Sequence, residues 1–461
     1  MRNHYKTLAL FLVWVICWVG SGCEKFVAVD PPPNALVSAS VFAEDKTAES
    51  AMAGVYERMM GDATGVYNGG LELYTGLSGD ELLARTSSAN LQEFNQNALL
   101  ATNQEVMKIW KALYEVIYSC TAIVEGIAVS PQLSEPIKAQ LNGEALLVRA
   151  YSYSQLVQLF GDVPLVLTTD YRQNAIASRT ETSIVLAQCE KDLLVAKDVL
   201  QVDYQVSNGE RTRPNKFVAQ ALLSRLYLLT GKWQEAIIET TAIIEANSLF
   251  TLSPTLDGVF QHNSPEAIWQ LMPVIPNMNT GIGYIFVQQT GVPAYADIKV
   301  DFLQVFEADD QRVVSWIYTY TENGVTYHMP NKYRVKGGEV VEEYYTLIRL
   351  AEIFLIRAEA SLQTGQLATA RADMNLIRNR AGLTELALTN KNQLTVALEL
   401  ERSRELFVED GHRWFDLKRW GKIDAVMSAA KPGDWKLHGA LYPIPKTELD
   451  NNAQLAQNAG Y

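Results

Sequence analysis

Apolar positions recur at helical spacing over most of this chain. After a possible cap at Ser38 or Ser40, Val41, Ala48, Ala51, Met52, Val55, Tyr56 and Met59 share one helical face. Val106, Ile109, Trp110, Leu113, Ile117 and Val124 mark a second helix over Glu105 to Gly126. Pro136 opens a third, to about Phe160, which Gly161-Asp162-Val163-Pro164 ends with a glycine cap and a nearby proline. Between the first two, Gly61 to Gly79 is rich in glycine and tyrosine and reads as loop.

Two later segments use one pattern twice. Val218, Ala221, Leu222, Leu226 and Leu229 form a stripe, Gly231 turns the chain, and Trp233, Ala236, Ile237 and Ile244 begin another helix. Leu347, Leu350, Ala351, Phe354, Leu355 and Ala358 repeat the stripe, Gly365 turns, and Leu367, Ala370, Met374 and Ile377 follow. Helix, glycine turn and a helix with a small inward residue make the tetratricopeptide device, whose unit is about 34 residues. Such hairpins bury their faces only by stacking, so the helices between 105 and 160 are expected to supply further units. Two unrelated helical hairpins are the other reading. From Phe250 to Tyr345 the pattern changes: six prolines, many glycines and asparagines, and short β-like runs at Ala267 to Met272 and Val314 to Thr321. The predicted fold class is therefore mainly α: a tetratricopeptide-like scaffold over about 38–249 and 343–461, with a loop-rich insertion over about 250–342. Binding functions tend to sit on such insertions.

The longest apolar run is at the start. Leu8 to Val19 lies behind Arg2 and Lys6 and ends in Gly20-Ser21-Gly22-Cys23. It falls short of the roughly 18 to 20 residues a spanning helix needs, and its basic start and small-residue exit fit a signal peptide over 1–22. The closing cysteine resembles a bacterial lipobox, which implies that Cys23 is acylated, with chains such as palmitate, and becomes mature residue one. Gly20 stands where lipoboxes prefer leucine. An ordinary signal-peptidase site with Cys23 as a free thiol is the competing reading. Phe26 to Pro33 is then an extended, proline-stiffened leader. No further run of 18 apolar residues occurs, so the mature part is expected to be soluble.

Formal net charge is −13, and two more negative once Arg2 and Lys6 leave, which disfavours nucleic acid and anionic surfaces as partners. Processing leaves Cys120 and Cys189, too few for a disulfide framework, with their pairing open. The histidines that remain, His262, His328, His412 and His438, have no helical ligand spacing, so no metal site or cofactor is expected. Gly281-x-Gly283 lacks the lysine and the strand-to-helix setting of a phosphate loop.

His412-Arg413-Trp414-Phe415-Asp416 offers no matched nucleophile or second acid. It reads as structure: Gly411 ends a helix, Trp414, Phe415 and Trp420 fill core, and Arg413 pairs with a carboxylate. Glu401, Arg402, Arg404 and Glu405, like Arg349 with Glu352 and Arg357 with Glu359, read as surface ion pairs. Asp80-Glu81 and Asp309-Asp310 are acidic pairs of the kind a glycosidase needs, if held 5 to 10 Å apart. With 21 tyrosines in the chain, aromatic faces in polar loops are the other candidate chemistry, because sugar rings stack on them. Tyr67 and Tyr74 qualify, as do Tyr284, Phe286, Tyr295 and Trp316, each with core packing as the plainer alternative.

Three blocks in order carry a family resemblance. They are Cys23-Glu24-Lys25-Phe26 with Val29-Asp30-Pro31-Pro32, Val41-Phe42 and Ala53-Gly54-Val55-Tyr56; Tyr345 to Leu383; and Glu401 to Trp420, closed by Leu441-Tyr442-Pro443-Ile444-Pro445 and Asn451-Asn452. The arrangement resembles the SusD/RagB family of outer-membrane nutrient-binding lipoproteins from end to end of the mature chain. The resemblance implies one domain over 23–461 with four tetratricopeptide-like hairpins and no catalytic activity. It also implies a partner, a SusC-like TonB-dependent β-barrel transporter over which the lipoprotein sits as a surface-exposed lid, holding oligosaccharide or peptide. Family layout places Asp80, Arg85, Asn90 and Asn95 near the ligand. A pure protein-interaction scaffold and a lipid-anchored glycoside hydrolase are the readings from other classes.

Overall fold

The computed structural model describes residues 40–461; the expected signal peptide over 1–22, Cys23, the stretch Phe26 to Pro33 and Ser38 lie outside them. The first helix, α1 (Asp45–Met60), buries Ala48, Met52, Val55 and Met59, the expected stripe. Gly61 to Gly79 is not simply loop: α2 (Gly70–Ser78) has every residue buried. Its glycines serve close approach rather than flexibility, since a Cβ on Gly70 would lie 2.1 Å from the Thr64 carbonyl oxygen. Next come β1 (Leu82–Ala84) and α3 (Ala89–Asn95).

Two 26-residue helices follow, α4 (Gln104–Val129) and α5 (Glu135–Phe160). The Asn103 side chain caps α4 by accepting from the Glu105 and Val106 amides at 2.9 and 3.1 Å. By length and apolarity α4 meets the description of a spanning helix, but it packs between α1 and α5 and buries its apolar side in the core. Pro136 sits in the first turn of α5, and Gly161 ends it at φ +73°. Then α6 (Thr182–Val199), which the pattern did not announce, packs on α5 and on α7 (Lys216–Thr230). Arg149 and Asp192 lock α5 to α6 with paired bonds of 2.8 and 2.9 Å.

Both glycine hairpins form. Gly231 (φ +72°) joins α7 to α8 (Trp233–Glu245), and Gly365 (φ +81°) joins α11 (Leu350–Gln363) to α12 (Leu367–Arg380). The inward small residues Ala236 and Ala370 are fully buried. Helix α8 packs directly on α11, and α11 also packs on α13 (Lys391–Glu405), so the helices stack in succession as repeats do. The stripe at Leu347 is strand rather than helix: β6 (Tyr345–Arg349) runs up to Leu350, where α11 starts.

Between α8 and α11 the chain leaves the helical stack. It forms β2 (Ala267–Leu271), the short helix α9 (Gly281–Phe286), β3 (Ala296–Ile298), the short helix α10 (Gln311–Trp316), β4 (Ile317–Glu322) and β5 (Val325–Pro330). The β-like run at Val314 is thus helical for its first three residues. Antiparallel pairing of β2 with β6 brings the two ends of this segment together; β3 pairs with β1 and β4 with β5. The C-terminal part contributes α14 (His412–Arg419), α15 (Ile423–Ala430) and α16 (Lys446–Asn451). Cys120 and Cys189 are buried free thiols, so they do not pair.

Candidate functional site

A tight turn builds one of the exposed aromatic surfaces. Asn323 (φ +50°) and Gly324 (φ +79°) connect β4 to β5, the two left-handed residues that a two-residue hairpin turn demands. Side chains two apart on a strand share a face, so Tyr318 and Tyr320 lie together, and the register sets Tyr327 opposite Tyr320. Ring centroids are 5.8 Å apart for Tyr318–Tyr320 and 5.3 Å for Tyr320–Tyr327. Tyr318 is 39% exposed at the end of this ladder. The Tyr320 hydroxyl donates to the Gly291 carbonyl at 2.6 Å, which fixes its ring, and desolvation raises its pKa.

The ladder continues onto the β1–β3 pair. Arg85 stacks over the Tyr327 ring at 5.2 Å and grips Asp297 through two bonds of 2.7 and 2.9 Å. That bidentate bond raises the Arg85 pKa. The Arg85 amide donates to the Tyr295 carbonyl at 2.8 Å, and the Tyr295 ring lies 6.2 Å from Tyr284, which carries the Lys336 ammonium 5.3 Å over its face. Desolvation and the neighbouring Tyr284 hydroxyl push Tyr295 up to about 12. The strip from Tyr318 to Lys336 is thus two clusters, Tyr318–Tyr320–Tyr327–Arg85 and Tyr295–Tyr284–Lys336, joined through the backbone pairing of Arg85 with Tyr295.

Beside Tyr318 lies a hollow of about 220 Å³, lined also by Gln288, Gln289, Asn331, Arg334 and Phe286. The Gln288 amide is spent on the Thr290 and Val292 carbonyls and the Ala294 amide, and one Arg334 nitrogen holds Asp257 and the Ser315 carbonyl. Gln289 and the rest of the Asn331 and Arg334 polar groups are what can bond a ligand that stacks on the exposed ring face. The hollow offers no proton-transfer pair. Asp80 is held by Arg413 through bonds of 3.0 and 2.7 Å. Glu81 is buried, accepts from the Val408 amide at 2.9 Å, and burial pushes it up to about 8. Asp310 is buried against Arg312. Among the described residues no group of three or more His, Cys, Asp or Glu side chains is placed to share a metal ion.

Two family models match different parts of the chain. One, described as the SusD family, covers residues 306–461; the other, described as "Starch-binding associating with outer membrane", covers 44–228. This chain belongs to the SusD/RagB family. Among its relatives, SusD-like protein P2 of Formosa agariphila is 25% identical over 521 residues, spanning 100% of both chains. The starch-binding protein SusD of Bacteroides thetaiotaomicron is 35% identical over 145 residues, which are 28% of this chain and 24% of that one. Among solved structures, a SusD superfamily protein from Bacteroides vulgatus superposes with a TM-score of 0.80 at 21% identity, covering 91% of this chain and 100% of that one. A laminarin-binding SusD-like protein gives 0.74 at 22% identity, covering 90% and 99%. These likenesses establish the mainly helical fold.

Measured on this SusD/RagB chain, the expected site residues divide. Arg85, Tyr284 and Tyr295 lie on the strip. Tyr67, Tyr74 and Trp316 do not offer stacking faces: all three are buried, as is Phe286. Each polar tip is used internally. The Tyr67 hydroxyl donates to Ser152, the Tyr74 hydroxyl to Glu105, and the Trp316 indole to the Leu256 carbonyl, at 2.6, 2.7 and 3.0 Å. A polar loop context cannot distinguish such a tyrosine from an exposed one, because the deciding partner is remote in sequence. Asp80 is committed to Arg413, and the Asn95 side chain accepts from the Ala84 amide at 3.1 Å. Asn90 is half-buried, its carbonyl accepting from the Asn103 side chain. Sequence reasoning missed Tyr318, Tyr320, Tyr327 and Asp297. The Asn323-Gly324 pair between alternating residues is a strong hairpin signal and would have found the three tyrosines.

The ion pairs need a larger correction. Glu401, Arg402, Arg404 and Glu405 are all buried, not surface pairs. Arg349 bonds Glu266, Glu405 and Glu409 rather than Glu352, whose partner is Arg225. Arg357 takes Asp373, and Glu359 takes Arg419. Gly411 (φ +69°) precedes α14 as its N-cap instead of closing the helix before it. Trp414 and Phe415 fill core, while Trp420 stays half-buried with its indole on Glu359 at 3.0 Å.

Proposed function

We propose that this chain is a non-catalytic, lipid-anchored glycan-binding protein of the outer-membrane surface that hands oligosaccharide to a SusC-like TonB-dependent barrel. In this reading residues 23–461 act as one domain, 250–342 as its ligand-binding insertion, and Cys23 as the anchor. The observation that carries it is the exposed Tyr318 face at the end of a tyrosine ladder, beside a hollow lined by amides and Arg334. Sugar recognition needs that pairing of apolar face and hydroxyl partners, and relatives described as starch-binding and laminarin-binding support the ligand class.

Calorimetry of a soluble form lacking the leader, against maltoheptaose and a laminarin hexasaccharide, should give saturable heat for at least one. Tyr318→Ala should weaken it. A tyrosine offers roughly 200 Å²; at 39% exposure a ligand covering the open face removes up to about 80 Å² from water, worth up to about 2 kcal/mol. Saturable heat with a peptide panel and none with any glycan would move the protein to a peptide-binding role. Native-membrane pull-down in mild detergent should recover a large barrel protein; recovery of none would remove the transporter partner.

A further inference from the structure

Helix α4 carries a second aromatic row, unrelated to the strip. Trp110, Tyr114 and Tyr118 are spaced four residues apart and so lie on one face. They line the floor of an open groove of about 590 Å³, within the range of small-molecule sites, with Trp110 buried beneath it, Tyr114 half-buried and Tyr118 presenting the open face. One wall is the segment with Pro164, Val166 and Asn174, the other the C-terminal segment with Glu448, Asn451 and Asn452.

The floor is held in place. The Trp110 and Tyr114 rings are 4.9 Å apart, and the Tyr114 hydroxyl donates to the Pro164 carbonyl at 2.8 Å. Trp110 and Glu448 both line the groove. Tyr118, at the far end, is 44% exposed. Wall asparagines are held by internal bonds: Asn174 donates to the Thr168 carbonyl at 2.8 Å, which leaves its side-chain oxygen open, and Asn452 donates to the Ala177 carbonyl at 2.8 Å while accepting from the Gln454 amide at 2.9 Å, which leaves one N–H. On the rim, Arg58 and Lys111 both face Glu115, and Glu448 in the opposite wall supplies the second carboxylate, so two cations and two anions line the groove. A groove with a preformed aromatic floor, amide walls and a charge-balanced rim suits a ligand rich in hydroxyls and free of net charge.

We propose that the groove between α4, the 164–175 segment and the C-terminal 446–455 segment is a second carbohydrate site, taking an uncharged oligosaccharide. It rests on the glycan-binding reading for its ligand class and not on the Tyr318 site for its geometry.

The test uses the full chain without its leader and two variants at exposed positions, Tyr118→Ala and Asn451→Ala, with Tyr318→Ala and the double Tyr118→Ala/Tyr318→Ala alongside. Thermal melts matching the parent protein confirm that each is folded. Maltoheptaose and a laminarin hexasaccharide are titrated by calorimetry and by tryptophan fluorescence, with Trp110→Phe reporting which part of the signal comes from the groove. Two sites should be seen, one weakened about tenfold or more by Tyr118→Ala and less by Asn451→Ala, the other weakened by Tyr318→Ala. A single site that Tyr318→Ala weakens and Tyr118→Ala leaves untouched overturns the groove and keeps the proposed function. A single site sensitive only to Tyr118→Ala keeps the groove and overturns the Tyr318 placement. No saturable change with either sugar overturns the groove as well as the glycan reading.

Discussion

Replacing Glu405 by glutamine tests what holds the ligand-binding segment to the helical frame. Glu405 ends α13 with no solvent exposure. Its carboxylate accepts from Arg349 at 2.6 Å, from Arg312 at 3.0 Å and from Arg380. Arg349 comes from the end of β6, Arg380 from the end of α12 and Arg312 from α10, so one side chain ties scaffold to insertion. Around it Glu266, Glu401, Glu409 and Asp310 neutralise the same guanidiniums, and Lys332 reaches the Glu405 and Phe407 carbonyls at 2.9 and 2.8 Å. Glutamine keeps the volume, so no cavity opens, but it removes the charge and turns one of the two acceptor oxygens into an NH2 donor facing the same guanidiniums. Removing one partner from a buried pair costs about 3 to 5 kcal/mol. The surviving carboxylates place Glu405→Gln near the lower end, about 3 kcal/mol. Burial by itself would raise the Glu405 pKa; the Arg380, Arg349 and Arg312 charges outweigh it and hold the carboxyl well below its usual range. A depressed folded-state pKa contributes stability that is complete above the unfolded value of about 4.3 and is lost as pH falls below it. Urea unfolding of the leaderless protein at pH 7 and at pH 3.5 reads both effects: a large deficit for the variant at pH 7, narrowing in acid. Arg380→Met added to Glu405→Gln should cost less than the sum of the single changes, because the two groups share a contact. A deficit below about 1 kcal/mol at pH 7, or one independent of pH, would refute the reasoning.

Three further outcomes are expected. Gly365→Ala should cost about 1 to 2 kcal/mol of unfolding free energy, because φ there is +81° while the space beside it is open, so the loss is conformational; an unchanged urea midpoint would contradict it. Burial lowers the His412 pKa to about 4 despite Glu352 at 3.7 Å, so the unfolded chain binds the extra proton first and stability should rise with pH between about 4 and 6.5. His412→Gln should flatten that part of the profile in pH-dependent melts, and an unaltered slope would assign it to other groups. Cys23→Ala should fold normally but leave the membrane fraction on cell fractionation, whereas unchanged retention would remove lipidation as the anchor.

What the chain determined alone was local. Asn103, Gly161, Gly231 and Gly365 set helix ends through bonds and φ values that involve only neighbours within a few residues, so those boundaries are legible from spacing. The buried faces of α1 and α4, the ends of α5, and the family resemblance were legible for the same reason. Tertiary structure decided everything that depends on a distant partner. Glu401 and Arg404 look like a surface helix pair until Arg312 of α10, Arg378 of α12 and Glu307 from the segment before α10 come against them. Tyr67 and Tyr318 sit in equally polar stretches, yet one is sealed under Ser152 and the other stands at the open end of a hairpin. Composition cannot separate the two, because exposure is set by which remote surface the fold places over a ring.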